Sequence, residues 1–303
     1  MVSELAQDDW IAVDWGTSNL RVWVMRGTQV RERIVSDQGM GSITPREYEP
    51  VLLSLVAPYL SATTTRVLVC GMAGSRQGWA EAPYASVPCA PPNRDNAVSV
   101  ATDDPRLSVS ILPGMKQQTP ADVMRGEETQ IAGYLAQKPH FEGAICLPGT
   151  HSKWAQMSAG TVAQFRTFMT GEVYALLSKT SILRHSVGET CDLEAFDAAV
   201  ADMMHHPEAF TADLFGLRAG TLIGGLGADA ALGRLSGLMI GAELAGARPF
   251  WSGQNVALIG APKISALYAR ALAAQGVDVD IASGEEIVLE GLIAAYHQTE
   301  GQT

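Results

Sequence analysis

One local pattern occurs twice in this chain, and it limits the folds available. Near the start, apolar Trp10-Ile11-Ala12-Val13 runs into Asp14-Trp15-Gly16-Thr17-Ser18-Asn19, and Leu20-Arg21-Val22-Trp23-Val24-Met25 runs out. Roughly 130 residues later, Gly143-Ala144-Ile145-Cys146-Leu147 runs into Pro148-Gly149-Thr150-His151-Ser152-Lys153-Trp154, with a return strand expected over 161–165. The flanks are rich in Val, Ile and Trp and read as strands around a glycine turn. A plain hairpin needs only a pair such as Asn-Gly. These turns add hydroxyls, and the first adds a carboxylate. Backbone N–H groups around a glycine, with hydroxyls and a carboxylate, suit a phosphate chain and a divalent cation. The echo predicts two domains of related design, 1–142 and 143–303.

Length agrees, because 303 residues exceed a typical single core. An apolar fraction of 47% is that of a folded globular chain. Net charge is −11 with no Lys/Arg cluster, which argues against a nucleic-acid or anionic-membrane partner. It does not argue against ATP, whose phosphates can be held by turns, helix N-termini and Mg²⁺. Cys70, Cys89, Cys146 and Cys191 form no C-x-x-C pair and no zinc spacing. The first residues carry no signal-peptide pattern, so a cytoplasmic location is expected. The long apolar stretch 219–247 contains Asp229, Arg234 and Glu243 and is no membrane span. It reads as core before dimer face; homo-oligomerisation stays open.

The first half alternates strands (10–14, 20–26, 30–35, 66–70, 108–112) with a helix over 45–60. A Gly/Pro-rich segment over 71–96 holds Gly74, Ser75 and Arg76, a candidate substrate wall or a surface loop. Residues 171–248 read as almost wholly helical. The end returns to strand 256–260, helix 263–275, strand 277–281 and a terminal helix over 284–297.

Three glycine turns, 14–18, 149–153 and 260–263, each follow a short strand. A nucleotide cleft between two domains needs one turn from each on the phosphates and one beneath the base. Neither G-x-x-x-x-G-K-[ST] nor G-x-G-x-x-G stands at a strand–helix junction, which disfavours a P-loop or Rossmann site. The segment 119–130 is expected to open a helix, with Thr119 as cap, Pro120 in the first turn and Asp122 as the capping-box carboxylate. Glu127 and Glu128 follow. Adjacent helical residues point about 100° apart, so the two carboxylates cannot share one task.

This order of elements resembles the acetate and sugar kinase, heat-shock ATPase and actin superfamily. More narrowly, Asp14 to Arg21, Gly71 to Ser75 with Gly78-Trp79, Arg125 to Gln130, Pro148 to Trp154, Phe165 to Glu172 and Leu235 to Glu243 resemble the motifs of the 2-dehydro-3-deoxygalactonokinase family. The resemblance implies an α/β chain of two ribonuclease H-like domains with a cleft between them (the actin-like ATPase fold). It implies a helical insertion in the second domain, and the terminal helix is an element that can pack back on the first. It implies ATP-dependent phosphorylation of 2-dehydro-3-deoxy-D-galactonate at its terminal hydroxyl, in galactonate breakdown. Alternatives are a kinase for another sugar or sugar acid, a nucleotide-binding ATPase without a small acceptor, and an exopolyphosphatase-like hydrolase.

On this reading Asp14 organises Mg²⁺, and Gly16, Thr17 and Ser18 hold the β- and γ-phosphates of ATP. Gly149, Thr150 and His151 close on them, and Gly260, Ala261 and Lys263 border the adenosine. Glu127 is the first choice for the base that takes the sugar hydroxyl proton, ahead of Glu128 and Asp122. Sugar kinases usually place an Asp there. Substrate contacts are assigned to Trp15, Gly74, Ser75, Arg76, Arg125, Arg166, Thr170 and Glu172. Arg125 and Arg166 lead the candidates for the substrate carboxylate, ahead of Arg21, Arg76 and Lys153.

Overall fold

The structure is a computed structural model and describes residues 9–297. In chain order its elements begin with β1 (Asp9–Trp15), β2 (Leu20–Arg26), β3 (Gln29–Ser36), α1 (Tyr48–Val56), β4 (Thr65–Gly71), β5 (Tyr84–Ser86), β6 (Val98–Val100), β7 (Leu107–Ile111), β8 (Gly114–Gln117), β9 (Asp122–Met124) and α2 (Glu127–Gln137). They continue with β10 (Gly143–Leu147), β11 (Ser152–Ser158), β12 (Thr161–Phe168), α3 (Thr170–Lys179), α4 (Leu193–His205), α5 (Phe210–Ile223), α6 (Ala228–Gly246) and α7 (Arg248–Trp251). β13 (Val256–Gly260), α8 (Pro262–Ala273), β14 (Val279–Ser283) and α9 (Gly284–His297) complete the series. The chain divides into two compact units: one holds the residues up to Phe141, Ala159–Gln164 and the chain from Gly284, the other Glu142–Ser158 and Phe165–Ser283. No helix among the described residues is long and apolar enough to cross a membrane.

The first unit is built on a sheet of order β3-β2-β1-β4-β7-β6. β1 pairs antiparallel with β2 and parallel with β4, so it is a central strand. Both of its faces are covered. Ile11, Val13 and Trp15 join the core under α1, while Trp10 and Ala12 join a second core with Val288, Leu292, Ala295 and Tyr296 of α9. β4 alternates in the same way, with Val67 and Val69 to one side and Leu68 and Cys70 to the other. Burial on both faces is why these strands read as unbroken apolar runs in the sequence.

The second sheet has the order β12-β11-β10-β13-β14. Its first strand again forms a hairpin on one side and parallel pairs on the other. Ala144, Cys146, Val256 and Leu258 pack against Phe196 and Val200 of α4, Ile240 and Leu244 of α6, and Tyr268 of α8. The two units therefore share one strand order. Of the apolar stretch 219–247, the part on α6 supplies core, with Leu235, Leu238, Ile240 and Leu244 buried, whereas Leu222 and Ile223 at the end of α5 are exposed.

One sequence expectation fails here. Residues 119–126 do not open a helix: 118–121 form the turn of the β8–β9 hairpin, and Asp122 lies on β9 opposite Gln117. Met115 and Met124 pair in that hairpin and both are buried, so strand alternation prevails over the capping pattern. The helix starts only after Gly126, whose φ of +106° turns the chain.

α6 carries Gly233, Gly237 and Gly241 on the face toward α4, and a methyl at Gly237 would overlap the Phe196 carbonyl oxygen. Alanine ordinarily gains about 0.5–1 kcal/mol over glycine inside a helix. Against a backbone carbonyl, overpacking of about 1–3 kcal/mol outweighs that gain. Gly237→Ala is therefore expected to lower the urea midpoint, and an unchanged or higher midpoint would show that α4 and α6 can separate without cost.

Candidate active site

In the first unit the site is built at the end of β1. Register places Asp14 between Arg21 on β2 and Cys70 on β4. Arg21 Nη1 donates to Asp14 Oδ2 at 2.8 Å, and the Cys70 thiol lies 3.9 Å from Oδ1. Burial pushes the Asp14 carboxyl above its ordinary value, Arg21 opposes that, and the neighbouring Glu127 carboxylate adds to it. The turn beyond is tied from behind. Gly16 N donates to Asn19 O at 2.9 Å, while Met40 N and Gly41 N donate to Gly16 O and Thr17 O at 3.0 and 2.9 Å. These bonds leave Thr17, Ser18 and Asn19 exposed at the tip.

Gly71, at the end of β4, has φ +87°, and a methyl there would stand 2.7 Å from Trp15 O and 3.4 Å from Asp14 Oδ1. A methyl on Gly126 would lie 3.3 Å from the Gly71 α-carbon. The start of α2 is thus brought against Asp14 through two glycines. Its two carboxylates diverge, as helical geometry demands. Glu128 turns inward, 1% exposed, with both oxygens 2.8 Å from Gly126 N. Burial, aided by the adjacent Glu127 charge, raises its carboxyl to about 7. Glu127 is half-buried and accepts from Arg125 N at 3.0 Å. Asp122 stands on β9, accepting from the N–H of Val123, and is not part of this helix.

Several residues expected at the substrate make their contacts within the fold. Trp15 is fully buried, donates from Nε1 to Gln38 O at 3.0 Å, and packs its ring 4.5 Å from Tyr48. Ser75 is buried, with Oγ 3.2 Å from Met40 Sδ. Arg125 donates from Nη2 to Ala82 O at 2.8 Å and lies 4.2 Å above the Tyr84 ring. Its Nε and Nη1 are enclosed without a partner, and Gly74 closes that slot, since a methyl there would lie 2.7 Å from Nη1. Arg76 is exposed, with Glu81 at 3.4 Å, and Arg166 is exposed on β12.

In the second unit, Gly149, Thr150 and His151 are exposed at the tip of the β10–β11 turn, and Ser152 is buried beneath them. The start of α3 holds this turn. Glu172 N donates to Thr150 O at 2.9 Å, and His151 Nε2 lies 2.5 Å from Glu172 Oε2. Thr170 points inward and donates to Glu243. Thr170 and Glu172 therefore serve the turn in this structure. Glu243 also accepts from Trp154 Nε1 at 2.8 Å and from the Tyr268 hydroxyl at 2.7 Å. Sequence reasoning placed Glu243 in a motif but gave it no role; its one signal was a carboxylate amid an apolar helix. At the end of β13, a methyl on Gly260 would lie 3.0 Å from Ser265 Oγ, a buried hydroxyl without a partner. Ala261 and Lys263 are exposed at the start of α8.

Two α/β units with one strand order, each opening on a strand–turn–strand whose tip presents hydroxyls and backbone N–H groups, make this an actin-like ATPase fold of the kind found in carbohydrate kinases. A sequence profile of 2-keto-3-deoxy-galactonokinase matches residues 14–295, and the chain belongs to that family. It is 38% identical over 295 residues to a probable 2-dehydro-3-deoxygalactonokinase of Rhizobium meliloti (strain 1021), covering 94% of this chain and 96% of the relative. It is 32% identical over 292 residues to the 2-dehydro-3-deoxygalactonokinase of Escherichia coli (strain K12), covering 95% and 97%. A crystal structure of a candidate 2-dehydro-3-deoxygalactonokinase from Sinorhizobium meliloti superposes with a TM-score of 0.88 at 37% identity, covering 94% of this chain and 97% of that one.

The raised Glu128 carboxyl has a consequence for stability. Between the ordinary carboxylate value and about 7, the folded chain holds a proton that the unfolded chain has released. Stability from this group is present below that window and is lost as pH rises through it. Glu128→Gln removes the titration, so the variant should gain on the parent between about pH 5 and about pH 8. Parallel stability curves over that range would refute the buried, proton-holding state of Glu128.

Proposed function

We propose that the chain transfers the γ-phosphoryl group of ATP to the terminal hydroxyl of 2-dehydro-3-deoxy-D-galactonate, giving the 6-phosphate. Family membership supports the reaction. The observation that carries the site reading is the placement of half-buried Glu127 beside Asp14 at the end of β1. Phosphoryl transfer needs little covalent help from protein, so positioning and charge stabilisation supply most of the catalysis. Glu127 is the base that accepts the hydroxyl proton; Glu128 is too enclosed to reach an acceptor and fixes the first turn of α2 instead. Thr17 and Ser18 offer hydroxyls to the β- and γ-phosphates. In its own unit, the tip at Gly149, Thr150 and His151 is a second phosphate contact, and Gly260, Ala261 and Lys263 border the adenosine.

The donors around Asp14 fit Mg²⁺. Asp14, Thr17 and Ser18 offer hard oxygens, and Mg²⁺ takes one or two carboxylates plus phosphate and water oxygens rather than an all-protein cage. Among the described residues no group of three or more His, Cys, Asp or Glu converges as such a cage would. When bound, the ion neutralises charge on the transferring phosphoryl oxygens. Arg21 balances Asp14 from the other side.

For the acceptor carboxylate, Arg76 is the better-placed cation in the first unit. It is exposed on the loop that begins at Gly71, whereas Arg125 is enclosed. Arg76→Gln should raise the KM for the sugar acid by about tenfold, the worth of one charge-assisted hydrogen bond, and leave the KM for ATP in place.

Coupled ADP release with 2-dehydro-3-deoxygalactonate, run against its C4 epimer, tests the reaction; no ADP with either acceptor would sink it. Glu127→Gln should lower kcat by about 10²–10⁴-fold with nucleotide affinity retained. If Glu128→Gln or Asp122→Asn has that effect and Glu127→Gln does not, the base is assigned to the wrong carboxylate.

A further inference from the structure

The second turn is held by a directed chain of hydrogen bonds that ends on one buried carboxylate. Glu243, 3% exposed on α6, meets donors from three other elements: the indole N–H of Trp154 on β11, the hydroxyl of Thr170 on α3 and the hydroxyl of Tyr268 on α8. An ionised carboxylate only accepts. Tyr268 must then spend its single proton on Glu243, and its oxygen is left to accept. Ser152 Oγ lies 3.1 Å from that oxygen and supplies the proton. Ser152 Oγ in turn accepts from Gly149 N at 3.4 Å. Burial raises the Glu243 carboxyl, and the hydrogen bonds from Thr170, Tyr268, Trp154 and Ser152 oppose that. With Glu243 ionised, the order runs Gly149 N–H to Ser152, Ser152 to Tyr268 and Tyr268 to Glu243. Burial and the Glu243 charge both push the Tyr268 phenol well above its ordinary value, which keeps it a donor.

This chain turns the Gly149 N–H inward and leaves the outer face of the residue open, with no atom within 4 Å of where a β-carbon would stand. At the same carboxylate, Thr170 anchors the first residue of α3, whose next residues hold Thr150 and His151. One acceptor thus sets both walls of the turn. A carboxylate buried among apolar helices is costly unless fully hydrogen-bonded. Packing alone gives no reason to keep one at position 243.

We propose that Glu243 is the positioning residue of the nucleotide site: by accepting from Tyr268 and Thr170 it pre-forms the Gly149–Ser152 turn and the start of α3 for the phosphates of ATP. The inference rests on the reading of that turn as a phosphate contact. Its chemistry is acceptor-only, and this separates it from space filling. Glutamine has the same shape but places an NH₂ group among donors, so it cannot replace the carboxylate.

Steady-state kinetics on the full chain, varying ATP and the sugar acid separately, tests this. Tyr268→Phe and Ser152→Ala each cut the chain while leaving Glu243 in place. Each should raise the KM for ATP by about tenfold, the worth of one buried hydrogen bond. Together they should cost little more than either alone, because they break the same chain. The KM for the sugar acid should stay within about twofold in all three. Glu243→Gln, if it folds, should resemble Glu243→Ala more than the parent in its KM for ATP. The proposal is overturned if Tyr268→Phe and Ser152→Ala leave the KM for ATP unchanged, if they raise both KM values alike, or if Glu243→Gln behaves as the parent. Thr150→Val serves as the control on the underlying reading. If it loses ATP affinity while the chain variants do not, only the role of Glu243 fails. If it too binds ATP normally, the turn is no phosphate contact and both readings fall.

Discussion

The acidic end of the first unit depends on two glycines meeting without side chains. Gly71 closes β4 against the carbonyl of Trp15, and Gly126 opens α2 against Gly71. Both have positive φ, so a side chain would be strained there even with space for it. Their contact brings Asp14, Glu127 and Glu128 to one place, together with the Cys70 thiol. The Glu127 charge raises the carboxyls of both Asp14 and Glu128, and the structure answers in two ways. Arg21 neutralises Asp14 at 2.8 Å. Glu128 is pushed toward its protonated form and buried against the Gly126 N–H. Only Glu127 is left as a half-buried carboxylate on that helix, and the chemistry assigned to it follows from this elimination of its neighbours.

Each unit also has a buried acid that fixes the start of a helix. Glu128 fixes the start of α2 in the first, and Glu243 fixes the start of α3 in the second. The partners differ: the Gly126 N–H and the adjacent Thr129 hydroxyl serve Glu128, whereas side chains from three elements serve Glu243. The second arrangement is the more rigid, because several elements would have to move together to release it.

Much of this was legible in the sequence, and the losses have physical causes. The central strands were readable because burial on both faces leaves unbroken apolar runs, as in Trp10 to Val13 and Gly143 to Leu147. The paired turns were readable because hydroxyls and glycine at a strand end have few structural uses. The 119–126 region misled because Thr-Pro-x-Asp serves a hairpin turn as readily as a helix start, and the buried Met115–Met124 pair that decides it is long-range. Trp15 and Thr170 lie within the motifs in sequence, yet they point into the core, and a motif does not record which face a side chain takes. Glu243 was least legible. Its partners Tyr268, Thr170 and Trp154 are 25, 73 and 89 residues away, and no local pattern announces them.

Net charge illustrates the same division between whole-chain and local information. A chain at −11 repels polyanions at long range, and this argues against nucleic acid as partner. At contact distance the balance is set by the groups at the tips. There the carbonyls of Gly16 and Thr17 are consumed by Met40 and Gly41, and the carbonyl of Thr150 by Glu172. Tying the acceptors back removes negative ends of dipoles from the tip and leaves hydroxyls on both turns exposed. Screening at physiological salt confines the repulsion of the remaining acidic surface to about 8 Å. Negative net charge therefore does not by itself keep a polyphosphate from an exposed turn whose carbonyls are tied back, and both turns here have such carbonyls.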